Sequence, residues 1–223
     1  MATEALCALC HQRKAKRQCP GLEKRICPQC CGREREVSID CPLDCSYLRE
    51  SRRHDAEKLT ALPEMPYKDI EVPERFLQEF GQIVGGVAVR LLAYFRQNTR
   101  VTDRDVLEAM AKLIQTYQTQ QSGIYYESVP EEPLAAGVFR NLKSFFDEVE
   151  KQAHERGLVA PGFTALKDAD VIRALVFLYR LAAVHTNRRP RGRAFLSFLK
   201  EAFPETAAAQ PAPEEPRLIL PGR

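Results

Sequence analysis

All eight cysteines of the chain fall between Cys7 and Cys45: Cys7, Cys10, Cys19, Cys27, Cys30, Cys31, Cys41 and Cys45. The 178 residues that follow contain none. Thiolates are metal ligands; four complete the shell of one zinc ion, and eight supply two. Cys7-Ala8-Leu9-Cys10 and Cys27-Pro28-Gln29-Cys30 each have the two-residue gap with which one tight turn aims two sulfurs at one ion. Cys41-Pro42-Leu43-Asp44-Cys45 adds a third pair. Pro42 suits a first helical turn and Asp44 its positive end, so Cys45 is expected in the first turn of a helix. Cys30 and Cys31 are adjacent; in an extended chain neighbouring side chains point to opposite faces and can serve different ions. The expected assignment puts Cys7, Cys10, Cys27 and Cys30 on one zinc and Cys19, Cys31, Cys41 and Cys45 on a second. His11 and His54 read as solvated side chains rather than ligands. Two closed all-cysteine sites leave no position for substrate, so the metal is expected to be structural and to supply the folding energy of a module too small for an apolar core. Cysteine thiolates also suit iron–sulfur, which is the alternative cofactor.

The net charge of +3 lies wholly in residues 1–60; residues 61–223 are balanced. Eight thiolates holding two dications would bring that head to about −1, which weakens a nucleic-acid reading based on net charge alone. A local patch remains: Arg13, Lys14, Lys16, Arg17, Lys24 and Arg25 crowd the first loop and hairpin as candidate nucleic-acid or anion contacts. Met1 to Leu6 has no basic and apolar leader pattern, and no run of about 18 apolar residues predicts a membrane span. A cytoplasmic, reducing location is therefore expected, where metal binding is favoured over four disulfides.

The strings Ile26-Cys27-Pro28-Gln29-Cys30-Cys31-Gly32 and Cys41-Pro42-Leu43-Asp44-Cys45-Ser46-Tyr47-Leu48 carry two resemblances. A knuckle, a short hairpin and ligands at a helix start resemble a treble-clef finger, and the interleaved assignment resembles the cross-braced MYND, HIT and RING classes in style. The whole chain looks like uncharacterised bacterial proteins with a cysteine-rich head and a helical body, a resemblance that implies no activity.

Positioning these ligands divides the chain into a zinc module (1–58), a linker around Leu62-Pro63-Glu64-Met65-Pro66 (59–70), a helical bundle (71–203) and an Ala/Pro/Glu-rich tail (204–223) ending in the apolar Leu218-Ile219-Leu220. The fold class expected is mostly α, with four to five helices in the bundle. Phe76 to Phe95 recur at three- and four-residue steps, predicting one long helix from Pro73 to about Asn98, with Gly81, Gly85 and Gly86 allowing close packing. Thr102 with Asp103 and Asp105 opens a second helix, Pro133 a third that Gly157 stops, and Asp168 a fourth, apolar nearly all round. Asp103 to Met110 aligns with Asp168 to Leu175, and Leu113 with Leu178, suggesting a duplicated helical hairpin. Arg188, Arg189, Arg191 and Arg193 form a basic turn before a short last helix, a candidate for phosphate or carboxylate.

No His-Glu-x-x-His, Gly-x-Ser-x-Gly or phosphate-loop motif is found. His154 and His185 are isolated in the sequence. The expected function is a non-enzymatic, zinc-binding adaptor with a protein partner; nucleic-acid binding is the alternative.

Overall fold

The computed structural model describes residues 5–57, 64–158 and 165–204. Residues 205–223 of the expected tail, with its apolar end, residue 58 of the expected zinc module and the 59–63 part of the expected linker lie outside these residues. In chain order the elements are β1 (Arg17–Cys19), β2 (Lys24–Ile26), α1 (Pro28–Glu34), α2 (Ser46–Glu57), α3 (Glu74–Gln97), α4 (Asp103–Gln121), α5 (Pro133–Glu155), α6 (Asp168–His185) and α7 (Ala194–Ala202). The fold is mostly α. Among the described residues the one sheet is the antiparallel β1–β2 hairpin, with Arg17 opposite Ile26 and Cys19 opposite Lys24. Two separate apolar centres result: one among α3 to α7, the other in the head, where cysteines surround Ile26, Ile39 and Leu48.

Local chemistry explains the helix starts. Thr102 and Asp105 form a capping box: Thr102 Oγ1 accepts the Asp105 N–H (3.4 Å), and Asp105 Oδ2 accepts the Thr102 N–H (2.8 Å). Pro133 opens α5, and Gly157 takes a left-handed φ of 65° just past its end. Asp103, read from sequence as part of its own helix start, reaches instead to α7. Its carboxylate accepts the N–H groups of Phe195 (3.0 Å) and Leu196 (3.2 Å), capping the positive end of the last helix. Burial pushes this carboxyl up to about 6, against the pull of those N–H groups and of Arg52.

The helices α3 to α6 are not arranged as two self-packed hairpins. Consecutive helices, α3 with α4 and α5 with α6, touch little; α4 packs on α6 and α5, and α3 packs mainly on α5. The reason is area. The buried faces of α4 (Val106, Met110, Leu113) and α6 (Val171, Leu175, Leu178) must cover each other, and pairing α6 only with its sequence neighbour would leave much of its apolar circumference wet. Close approach of α3 to α5 depends on Gly86: a Cβ there would lie 2.6 Å from Cζ of Phe145.

The described end of the expected linker is docked. Arg180 donates to the carbonyls of Pro66 (3.1 Å), Tyr67 (2.8 Å) and Ile70 (2.7 Å), and the Tyr67 ring stands edge-on to Tyr179 at 5.1 Å. Paired prolines rule out helix; they do not reveal that a distant arginine collects the freed carbonyls. Among the described residues no helix is long and apolar enough to cross a membrane.

Candidate metal centre

The first knuckle is held by its backbone. Cys7 N–H donates to Arg13 O (2.8 Å), Ala8 N–H to Arg25 O (3.1 Å) and His11 N–H to Cys7 O (2.8 Å), which ties the turn to the β1–β2 hairpin. Cys27 then caps α1, its sulfur accepting the Cys30 N–H at 3.4 Å, with Pro28 in the first turn. These two turns bring the sulfurs of Cys7, Cys10, Cys27 and Cys30 within 4.8 Å of one another. Cys7, Cys27 and Cys30 are fully buried and Cys10 partly so. Cys30 and Cys31 lie in α1, about 100° apart around its axis. The extended backbone assumed for this doublet is therefore wrong; a proline after a capping cysteine starts a helix, and helical rotation separates the two side chains instead.

Charge in this cage is unevenly shared. Burial opposes the Cys7 thiolate, yet the N–H groups of Cys10, Cys27 and Leu9 outweigh it and bring the thiol down to about 6. Cys27 is likewise lowered against burial, by the Cys30 N–H and by Arg13. Cys30 is pushed up to about 11: Arg13 pulls down, but burial and the neighbouring thiols prevail. Four thiolates this close repel one another, and a dication removes the conflict. The cage can therefore hold a metal ion.

Arg13, expected as an anion contact, donates from Nε to Cys27 Sγ (3.2 Å) and from Nη2 to Cys30 Sγ (3.4 Å). Such partners of ligand sulfurs steady a loaded site. Arg13→Ala should weaken metal affinity about 10- to 100-fold, and Arg13→Lys should recover only part of it, since one ammonium cannot reproduce the two-pronged contact. Competition with a chromophoric chelator at fixed pH reads both.

The other four cysteines line a separate cavity. Cys19 ends β1, Cys31 is in α1, Cys41 follows a loop and Cys45 precedes α2; together with Arg17 and Arg35 they line a cavity of about 10 Å³. Cys45 sits one residue ahead of its helix rather than inside it, its carbonyl accepting the Leu48 and Arg49 N–H groups at 3.0 Å each, because Pro42 to Cys45 first closes a turn of its own. Burial and the charges of Glu36, Cys19 and Cys45 push the Cys41 thiol up to about 11, against the Glu36 N–H directed at its sulfur. Among the described residues, only the first tetrad has all its sulfurs within 4.8 Å.

The remaining basic candidates divide. Lys14, Lys16, Lys24 and Arg25 are exposed, and Arg17 lies over the Tyr47 ring at 4.6 Å. In the basic turn, Arg188 and Arg191 are exposed at the side chain, whereas Arg189 and Arg193 bind the head. Arg189 Nη1 donates to Arg35 O (2.5 Å) and Gly32 O (3.3 Å); Arg193 donates to Val101 O (2.9 Å) and pairs with Asp40. Between them sits Glu36, only 1% exposed, whose carboxylate accepts from Arg52 Nη2 (2.7 Å), Asn187 Nδ2 (2.6 Å) and the Arg193 N–H (3.1 Å). Sequence reasoning missed Glu36, Asp40, Arg52 and Asn187. Glu36 falls in the run Arg33-Glu34-Arg35-Glu36, which looks like any solvated charged stretch. His154 pairs with Glu150 (3.1 Å), and His185 stacks on Phe198 with burial lowering its pKa.

No protein-family profile, curated protein or solved structure matches this chain. Its own geometry defines the class: a small cysteine-rich head containing a four-sulfur group at metal-binding distance, seated on a helical body.

Proposed function

We propose that the chain is a non-enzymatic interaction protein, an adaptor whose head is held by two structural zinc ions, each in an all-cysteine site, and whose helical body presents a partner-binding surface. The observation that carries this reading is the cage of Cys7, Cys10, Cys27 and Cys30. Sulfurs 2.3 Å from a tetrahedral zinc stand about 3.8 Å apart, so a group confined within 4.8 Å suits one ion better than an iron–sulfur cluster. Four protein ligands also close the shell to substrate, which favours a structural role. The partner surface is supported by the loop after α4, where Ile124, Tyr125 (89% exposed) and Tyr126 stand side by side in solvent. Aromatic side chains of this kind are enriched at protein interfaces.

Quantitative affinity capture with the full chain tests the adaptor role. Proteins retained by the wild type and lost by Tyr125→Ser/Tyr126→Ser, at equal zinc content and helicity, support it; identical captured sets from both overturn the surface. Nucleic-acid binding is the competing reading, supported by exposed Lys16, Lys24 and Arg25 on the hairpin. It requires affinity for a labelled oligonucleotide that falls steeply between 50 and 200 mM salt, by roughly 10³-fold for six phosphate contacts. Absent or salt-insensitive binding removes it. A coloured protein containing iron would replace zinc by the iron–sulfur alternative.

A further inference from the structure

Arg35 is 8% exposed, and among the described residues no carboxylate pairs with it. Among the described residues its guanidinium makes one hydrogen bond, from Nη2 to Cys31 Sγ at 3.9 Å, and its Nε has no partner. A buried cation is costly unless an anion faces it. What Arg35 faces is the cavity of Cys19, Cys31, Cys41 and Cys45. At about 10 Å³ that cavity has room for one water-sized body and no more. Four neutral thiols would leave the guanidinium uncompensated. A dication in four thiolates carries a net charge of −2, which matches Arg35 together with Arg17 on the same wall.

The same four cysteines bracket the part of the head that meets the helical body. Cys31 and Cys41 stand at the two ends of residues 32–40, and every head-to-body hydrogen bond described above enters that segment. Gly32 O and Arg35 O receive Arg189; Glu36 receives Asn187, the Arg193 N–H and, at its carbonyl, the Arg191 N–H (2.9 Å); Asp40 receives Arg193. Glu36 also directs its own N–H at Cys41, so one residue touches both the sulfur set and the body. Among the described residues the cysteines of the first cage make no such hydrogen bond to the body.

We propose that the ion held by Cys19, Cys31, Cys41 and Cys45, and not the one in the first cage, seats the head on the helical body: it supplies the anionic partner of Arg35 and clamps both ends of the 32–40 segment. This rests on the two-ion reading above. The neighbouring pair Cys30 and Cys31 allows the two sites to be emptied separately by the same chemical change. Zinc per chain is counted by native mass spectrometry for the wild type, Cys30→Ser and Cys31→Ser, and trypsin cleavage at exposed Arg188 and Arg191 is timed on each zinc-loaded protein. The expected counts are two, one and one. Cleavage at the turn should accelerate roughly tenfold or more in Cys31→Ser, as the seam opens locally, and stay near the wild-type rate in Cys30→Ser. One zinc in the wild type, lost in Cys30→Ser and kept in Cys31→Ser, overturns the second site while leaving the zinc-held head intact. No zinc in the wild type overturns the head reading itself. Two zincs with faster cleavage only in Cys30→Ser, or equally faster cleavage in both variants, overturns the assignment of the seam to the second ion. Should Cys31→Ser fail to fold, the wild-type count together with the Arg35→Met variant decides: loss of the second zinc alone supports the pairing, and full retention of both ions with an unchanged cleavage rate overturns it.

Discussion

Cys27→Ser is expected to release the ion of the first cage and unfold the knuckle around it, residues 5–16 with the start of α1, while the 32–40 segment stays seated and the helices from α3 to α7 keep their ellipticity. Apart from its cysteines, the head's buried apolar side chains are few, with Ile26, Ile39 and Leu48 the large ones. A centre of that size does not offset the entropy of ordering some fifty residues. Structural zinc in small modules contributes on the order of 10–16 kcal/mol of apparent binding energy, so loss of one sulfur removes far more stability than the first knuckle otherwise holds. Cys27 is the harshest position because it acts twice, as a cage member and as the cap of α1. The body has its own apolar centre, with Phe139, Met110, Leu113, Leu175 and Phe195 buried in it, and needs no sulfur. Zinc content by mass spectrometry, with backbone amide spectra of residues 5–16 against those of 32–57 and 74–202, checks the split. A knuckle that stays dispersed and folded in Cys27→Ser would refute the dependence on metal. Chelation of the wild type removes both ions and should unfold the whole head, and zinc should reverse it.

Local rules made the helices legible. Apolar steps of three and four placed α3, the Thr102 and Asp105 pair placed the start of α4, and Pro133 with Gly157 bounded α5. Cysteine spacing similarly paired the two knuckles whose sulfurs converge. What the sequence could not display was partnership across distance. Asp103 looked like a cap for its own helix and caps another; Arg13 looked like an anion contact and faces sulfur; Arg189 and Arg193 looked like ligands for a phosphate or an outside carboxylate and join the head to the body. Each has the same residue type and neighbours in either role, and only tertiary placement decides which anion or carbonyl it meets. The adjacent cysteines illustrate a subtler limit: their separation was anticipated for the wrong backbone, because two-residue periodicity and helical rotation both send neighbours apart.

Glu36→Ala should be the most damaging change to the seam between head and body, by about 3–5 kcal/mol for breaking a buried charge pair. The carboxylate joins Arg52 of the head to Asn187 and the Arg193 N–H of the body, and Arg52 already has Nε and Nη1 without partners. Removing Glu36 takes the hydrogen-bonding carboxylate from a half-buried guanidinium and leaves it only the charge of Asp103. Glu36→Gln keeps an acceptor for Asn187 or Arg193 while deleting the charge, so its loss should be smaller, about 1–3 kcal/mol. The backbone supplies an internal control. Glu36 has φ of 51°, in the left-handed region where a side chain carries about 1–2 kcal/mol of strain. Glu36→Gly relieves that strain and loses the same carboxylate, so it should be less destabilising than Glu36→Ala by roughly that amount. Denaturant midpoints in saturating zinc, followed by amide signals of residues 187–193, measure all three, and a cycle with Asn187→Ala should return a coupling of about 1 kcal/mol or more. Equal midpoints for Glu36→Ala and wild type would mean that the carboxylate does not hold the seam. A Glu36→Gly protein less stable than Glu36→Ala would mean that the left-handed turn carries no strain to release. The expected order, wild type above Gln, then Gly, then Ala, separates the contribution of the charge from that of the turn which presents it to the body.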